Sequence, residues 1–397
     1  MATVVELGAV EGFILDDPVA GVLDNTVYTL GGTVFKDISN RVETLSISRG
    51  KNRDLDRFNA GSLNVILNND DRAFDPNYSP SPFAGAIVPR REVRVTVDGV
   101  RTITTTIDDW NFDYSPGGDS RAEIQATDDF TLLARQLLTA GTATPQLSGA
   151  RVSAVLDQED VGWPADKRNI DAGVSTLGAD VFEGNALQYL QKVSDSEQGL
   201  LFVGKTGDLV FRDRLDATPT SDTVTEFRDD GTGIPFTLTS VNYGSELLFN
   251  EAVVTSNAGT ATANNDRSRT AYGISSVELD TLVSTQVQLE NIANFFVQKY
   301  GDPEYRFESI SVNLDTVGTA NKAACLALEI GDVISIRFTP NSLGDPIEQF
   351  GQIIRIGHSI DTGRHDMAIS VASLDWSFLV LDDAVFGKLD SNNALAF

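Results

Sequence analysis

The feature that most constrains this chain is a pattern of short segments in which apolar and polar residues alternate, each closed by a turn signal. Val42-Glu43-Thr44-Leu45-Ser46-Ile47-Ser48 alternates at period 2, as a strand with one buried face must. A charged loop, Arg49 to Arg57, leads to a second strand, Ser62 to Leu67, which ends in the polar turn Asn68-Asn69-Asp70-Asp71. Further strands follow at Glu92 to Val97, at Arg101 to Asp108 after an Asp98-Gly99 hairpin turn, and at Ala122 to Thr127 after Pro116-Gly117-Gly118. One antiparallel sheet or barrel accommodates all of them.

The character changes near residue 146. Val152, Val155 and Leu156 recur at helical spacing, as do Leu187, Leu190 and Val193 within Asn185 to Glu197, and a hairpin follows with arms Leu200 to Val203 and Leu209 to Phe211. Asp213 to Gly233 and Ser256 to Arg269 read as linkers or exposed loops. Between Thr285 and Tyr300, Leu289, Ile292, Ala293, Phe296, Val297 and Tyr300 mark the clearest helix, stopped by Gly301 and Pro303. Ser309 to Leu314, Asp332 to Phe338, Gln352 to Ser359 and Asp366 to Val371 are strands of a second β region. The expected fold is therefore mainly β with a small α/β insert: an N-terminal arm with the first strands (1–40), a first β-barrel (41–145), the mixed insert (146–215), a second β-barrel carrying the helix (216–376) and a C-terminal tail (377–397). The runs around Pro116-Gly117-Gly118-Asp119 and Asp361-Thr362-Gly363-Arg364 match in pattern, which fits either duplicated barrels or two unrelated meanders.

A sharper repeat links the two ends. Leu15, Asp16, Asp17, Val19, Gly21, Leu23 and Asp24 recur in register as Leu381, Asp382, Asp383, Val385, Gly387, Leu389 and Asp390. Acidic residues flank apolar ones in segments too short to bury themselves. Each copy is expected to dock, either on equivalent surfaces of neighbouring subunits or partner proteins, or on its own barrel.

Composition then removes whole classes of function. The 397 residues are 41% hydrophobic and 22% charged, and 30 Lys and Arg face 57 Asp and Glu, a formal net charge of −27. Such a chain binds neither nucleic-acid backbones by counterion release nor anionic membranes. The N-terminus has no basic flank or small-residue cleavage site, and no run of about 18 apolar residues occurs; synthesis in a cytoplasm without a signal peptide, and no membrane insertion, are expected. The single cysteine, Cys325, lies in an apolar run and reads as a buried hydrophobe. Gly199-Leu200-Leu201-Phe202-Val203-Gly204-Lys205-Thr206 satisfies the phosphate-binding P-loop pattern, but its intervening residues form a strand and its Lys-Thr a hairpin turn. The two histidines, His358 and His365, lack the companions of a zinc site or a serine hydrolase. Asn68-Asn69-Asp70-Asp71 with Asp75 offers oxygens to calcium but not the EF-hand spacing. Trp110, Trp163 and Trp376 suit core or interface anchors better than sugar platforms. No catalytic set, no cofactor and no resident metal is expected.

A series of segments in order resembles the tail-hub class of minor tail proteins of tailed bacteriophages, particularly of actinobacterial siphophages. The segments are Ile47-Ser48-Arg49-Gly50, Ala60 to Asn69, Phe74-Asp75-Pro76, Gly162-Trp163-Pro164, Arg168-Asn169-Ile170, Ala186 to Gln191, Ser196 to Gly199, Gly207-Asp208-Leu209, Tyr300 to Arg306 and Leu328 to Val333. The resemblance implies two tube-type β-barrel domains in tandem with an α/β insertion. It also implies a homotrimer at the tail tip of the virion, where two related barrels in each of three chains join a six-fold tube to a three-fold tip. Implied partners are the distal tail or tail tube protein, the tape measure protein and other minor tail or receptor-binding proteins. DNA would be transient cargo in the channel. The chain stops soon after the second β region, so lysin or receptor-binding functions are expected on other proteins.

Two readings stand at this point: a structural hub, and a carbohydrate-binding adhesin-like β module of the tail tip, which would need a surface cluster of aromatic rings. For the hub, the charge takes on a second meaning, since an acidic lumen would repel phosphates and keep DNA moving.

Overall fold

The structure is a computed structural model and describes residues 2–11, 18, 21–22, 33–139, 141–215, 224–374, 377–378 and 393–394. The first β region supplies β1 (Thr3–Glu11), β2 (Thr33–Asp37), β3 (Val42–Gly50), β4 (Asn59–Asn68), β5 (Glu92–Val97), β6 (Val100–Asp113) and β7 (Arg121–Thr127). Val97 pairs with Val100, which leaves Asp98 and Gly99 as a two-residue turn, and both have the positive φ that a type I′ hairpin demands.

The insert contains α1 (Ser148–Leu156), α2 (Ala186–Glu197), β8 (Leu200–Val203) and β9 (Leu209–Arg212); β9 pairs with β8 and, in parallel, with Arg168–Ile170. Asn185 caps α2 by accepting the Gln188 N–H, and left-handed Gln198 ends it. The second β region follows with β10 (Thr225–Arg228), β11 (Thr237–Asn242), β12 (Glu251–Ser256), β13 (Gly259–Asn264), α3 (Asp266–Tyr272), β14 (Ser276–Asp280), α4 (Gln286–Tyr300), β15 (Arg306–Asn313), α5 (Thr319–Ala327), β16 (Val333–Phe338), β17 (Ile347–Asp361) and β18 (Arg364–Ser373).

The protein is mainly β, as the alternation predicts, but the described strands form no closed barrels. The two β regions share one 13-stranded sheet, in the order β11-β15-β18-β17-β3-β4-β7-β6-β5-β1-β2, with β16 pairing β17 and β10 pairing β16. The join is the antiparallel pairing of β17 with β3, from Arg355↔Gly50 to Ile360↔Leu45. Buried Leu45, Ile47, Leu63, Val65, Ile124, Ile356 and Ile369 lie on one side of it.

A second core forms around the insert. It takes Val152, Val155, Leu190, Val193 and Phe211 together with α4 and β12–β13. The six residues predicted to face inward from α4 are the six it buries. They pack against the insert and β12–β13, and not under the large sheet. Two segments read as loops are ordered elements. Within 256–269, β13 buries only Ala261 and Ala263, so its alternation is of small residues and carries little hydrophobic signal. Within 213–233, β10 is four residues long and buries Phe227 alone, too short to show a period.

Buried ionic contacts tie the cores together. Arg49, 3% exposed, donates from Nη2 to Glu329 Oε1 (2.7 Å) and to the Val203 carbonyl (3.1 Å), so one side chain spans β3, the end of β8 and the approach to β16. Nearby, Tyr300 Oη donates to Asp54 Oδ2 (2.6 Å), with Lys299 Nζ 3.2 Å from the same oxygen. Burial works against the Asp54 charge, yet Lys299 and Lys51 hold its carboxyl below the usual range. Inside the insert, the fully buried Glu197 accepts from Ser148 Oγ (2.6 Å), the Ser175 N–H (2.8 Å) and Arg214 Nε (3.2 Å).

The two histidines meet in the large sheet. His358 Nδ1 lies 3.0 Å from His365 Nε2, and both rings are buried. Burial, then the neighbouring His365 and the cations Arg49 and Lys205, lower His358 to about 3. Burial and Lys322 lower His365 to about 4, against Asp315, Asp366 and Asp98.

Two predictions follow from these buried groups. Glu197→Gln removes the charge facing Arg214, and urea unfolding should show a loss of about 3 kcal/mol. The histidines titrate near 6.5 in the unfolded chain but stay neutral in the fold, so the unfolded state binds more protons below that pH. Their contribution is full above pH 6.5 and is lost as pH falls toward 4. Burial lifts Asp128 to about 7, so this carboxyl has the opposite sign in the same window. The difference in stability between wild type and a His358→Phe/His365→Leu variant, measured from pH 7.5 to 4, should isolate the histidines and shrink as pH falls.

Candidate functional surface

The side of the large sheet turned away from its core is polar and continuous across both β regions. One row runs through register partners Ser311, Ala368, Gly357, Ser48, Ser62, Thr127, Thr106 and Glu92. A parallel row runs Asn313, Asp366, Ser359, Ser46, Asn64, Gln125 and Asp109. Period 2 produces this face, because every residue placed between two core residues must point the other way. Small hydroxyls and amides fill most of its middle, with Ala368 and Gly357 in one row, while carboxylates stand at Glu92 in that row and at Asp366 and Asp109 in the other.

At the join the face dips into a depression of about 630 Å³ lined by Ser46, Ser48, Ser62, Asn64, Gln125 and Arg355, among others. Arg355 reaches this side because a bulge between Ile353 and Arg355 shifts the register, leaving Ile353 and Ile354 both buried. Its guanidinium is occupied, donating to Ser48 Oγ (3.1 Å) and Asn52 Oδ1 (2.9 Å). Amides and hydroxyls on the face are satisfied by carboxylates beside them: Asn64 donates to Glu123 and Thr127 to Asp108. Chemically the face is a wetted surface of hydroxyls and amides interspersed with carboxylates and one guanidinium, that of Arg355, in its depression.

The terminal repeat cannot be placed. Leu15, Asp16, Asp17, Val19, Leu23, Asp24 and the whole of 381–390, from Leu381 to Asp390, lie outside the described residues; Gly21 is described only as part of a turn. Trp376 also lies outside them.

Other singled-out residues have structural partners. Lys205 of the P-loop-like pattern sits in the β8–β9 hairpin turn, where Nζ donates to the carbonyls of Leu326 (3.3 Å) and Ala327 (2.9 Å) at the end of α5. In the acidic turn after β4, Arg41 grips Asp71 through two 2.8 Å bonds, Arg72 pairs with Asp75 (2.6 Å), and Asp70 accepts the Ser120 N–H (2.7 Å). These carboxylates face separate donors. No group of three or more His, Cys, Asp or Glu suited to a metal occurs among the described residues. Trp163 is buried and donates to the Lys167 carbonyl (2.9 Å), whereas Trp110 is half-buried in a row of rings. Cys325 is fully buried on α5, and burial pushes its thiol up to about 11, which keeps it unreactive. Alternate Ser, Thr, Asn and Gln were visible in the sequence strand by strand, but their union into one surface depends on the β3–β17 register, which no local pattern encodes.

No family profile and no curated protein matches the sequence. Solved structures do match over most of the chain. The 43 kDa tail protein of prophage MuSo2 from Shewanella oneidensis is 15% identical, with a TM-score of 0.57 over 93% of this chain and 98% of that one. A tail protein from Neisseria meningitidis MC58 is 12% identical, with a TM-score of 0.59 over 93% and 95%. Prophage tail protein gp18 from Listeria monocytogenes EGD-e is 12% identical, with a TM-score of 0.50 over 85% and 90%. Over most of its length, this chain is similar in fold to phage tail proteins.

Proposed function

We propose that the chain is a structural hub at the distal end of a phage tail. It acts as a trimer whose two β regions per subunit give six quasi-equivalent positions between a six-fold tube and a three-fold tip. The observation that carries this reading is the continuous polar face, which crosses both β regions of one chain without interruption. In a ring it lines the channel. A lining rich in hydroxyls and amides, with Asp108 and Asp109 beside them and the one guanidinium of its depression, Arg355, held by Ser48 and Asn52, gives passing DNA little to stick to. The excess of carboxylates adds a weak repulsion of phosphates. The acidic lumen suggested by the sequence stays part of this reading, with Asp108 and Asp109 on the face beside the hydroxyls and amides. The role is architectural, located in the virion, with DNA as transient cargo and with tube, tape measure and minor tail proteins as neighbours. The terminal segments 15–24 and 381–390 serve as docking arms toward those neighbours.

Three measurements test it. Electron micrographs of the protein at high concentration, or with its tail neighbours, should show three-subunit rings with a central hole; a monomer under every condition that binds glycans on an array would favour the carbohydrate-binding reading. A Ser46→Lys/Ser48→Lys/Ser62→Lys variant should form the same rings but retain duplex DNA on a filter at low salt about tenfold more than wild type, and lose it as salt rises. Deleting residues 377–397 should leave circular dichroism unchanged and abolish assembly; intact assembly would remove the docking role.

A further inference from the structure

We propose that the outer half of β6 is a docking edge that accepts one β-strand from another protein, a strand carrying Lys or Arg on one side and apolar residues on the other. β6 runs to Asp113, but β5 pairs with it only between Val100 and Thr106. Ile107 is still held from that side, accepting from the Arg90 N–H (2.8 Å) and donating to the Arg91 carbonyl (2.8 Å). Past this point Asp109–Asp113 pairs with β7 on one side, and no described strand pairs with it on the other. An open edge of this length is a template for strand addition unless something guards it.

The two sides of the edge differ sharply. Asp109, Asn111 and Asp113 are exposed on the polar face, and neither aspartate has an ion pair among the described residues. On the opposite face, Trp110, Phe112 and Tyr114 stack in sequence at 6.1 and 6.3 Å, with Trp110 resting on Phe74 at 6.0 Å. Tyr114, at the end of the row, is 52% exposed. A strand laid alongside would set every second side chain against the aspartates and the others against the ring edges.

Charge decides whose strand it is. The stretches of the chain that lie mostly or wholly outside the described residues have the wrong sign: 12–32 carries Asp16, Asp17 and Asp24 with no Lys or Arg, 216–223 carries two aspartates and no cation, and 375–397 has Lys388 against four aspartates. A second copy pairing through this same edge would set aspartate against aspartate. The occupant is therefore a basic, amphipathic strand of a different protein. The edge exists in the single chain and does not depend on ring formation.

The test uses the full-length chain and two synthetic seven-residue peptides, one alternating Lys with Val and one alternating Glu with Val. Amide hydrogen exchange at those 109–113 N–H groups that point away from β7 should be fast in the free chain and slow at least tenfold with the Lys peptide, an effect that weakens with added salt. An Asp109→Lys/Asp113→Lys variant, both positions being exposed, should weaken the Lys peptide by about tenfold and bind the Glu peptide instead. Edge-facing amides already protected in the free chain would mean that its own segment fills the edge. That result, equal binding of both peptides, or no protection at millimolar Lys peptide, overturns the proposal.

Discussion

Everything in this molecule hangs on the pairing of β3 with β17. Without it there are two separate sheets, two edges to hide and no common face. The register is set by alternation: Leu45 and Ile47 on one strand and Ile356, His358 and Ile360 on the other must all turn to the core. A slip of one residue would put these side chains in water and drive Ser46, Ser48 and Ser359 inward. The contact is also sterically exclusive. Gly50 ends β3 at φ +115, and a Cβ there would lie 2.1 Å from the Ile354 carbonyl oxygen, so only glycine lets the strands close at the bulge.

Polar groups buried around this join give it rigidity rather than chemistry. Arg49, Glu329 and the Val203 carbonyl fix the angle between the large sheet and the insert, and Asp54 with Tyr300 and Lys299 fixes α4. Each charge has its partner, so each is costly to remove singly and modest in net worth as a pair. Angular precision of this kind comes from ion pairs anchored on both sides of the joint. The same economy shows at the histidines, kept neutral by burial inside the sheet.

Much of this was legible in the residues. Strands with one wet face, the I′ turn at Asp98-Gly99 and the inward face of α4 all announce themselves through period and turn chemistry. The resemblance to tail hubs, carried by dispersed segments in order, agrees with the shared fold. What escaped was non-local or chemically quiet. The β3–β17 join links residues from 305 positions apart (Gly50 to Arg355) to 315 apart (Leu45 to Ile360), and nothing in either strand names the other. β13 buries alanines, whose small area gives a weak pattern, and β10 has a single buried phenylalanine. The polar face was missed for the first reason: its rows exist only once the register does.

That long-range join also governs when the protein becomes usable. β3 leaves the ribosome early, but its partner follows after roughly 300 residues, which takes roughly 15–60 s at about 5–20 residues per second. During that interval one side of β3 lacks its neighbour, and the loop-closure entropy of the whole intervening chain must be met before the pairing forms. A chain stalled before β17 and β18 have emerged thus cannot present the continuous polar face, which exists only once strands more than 300 residues apart have paired.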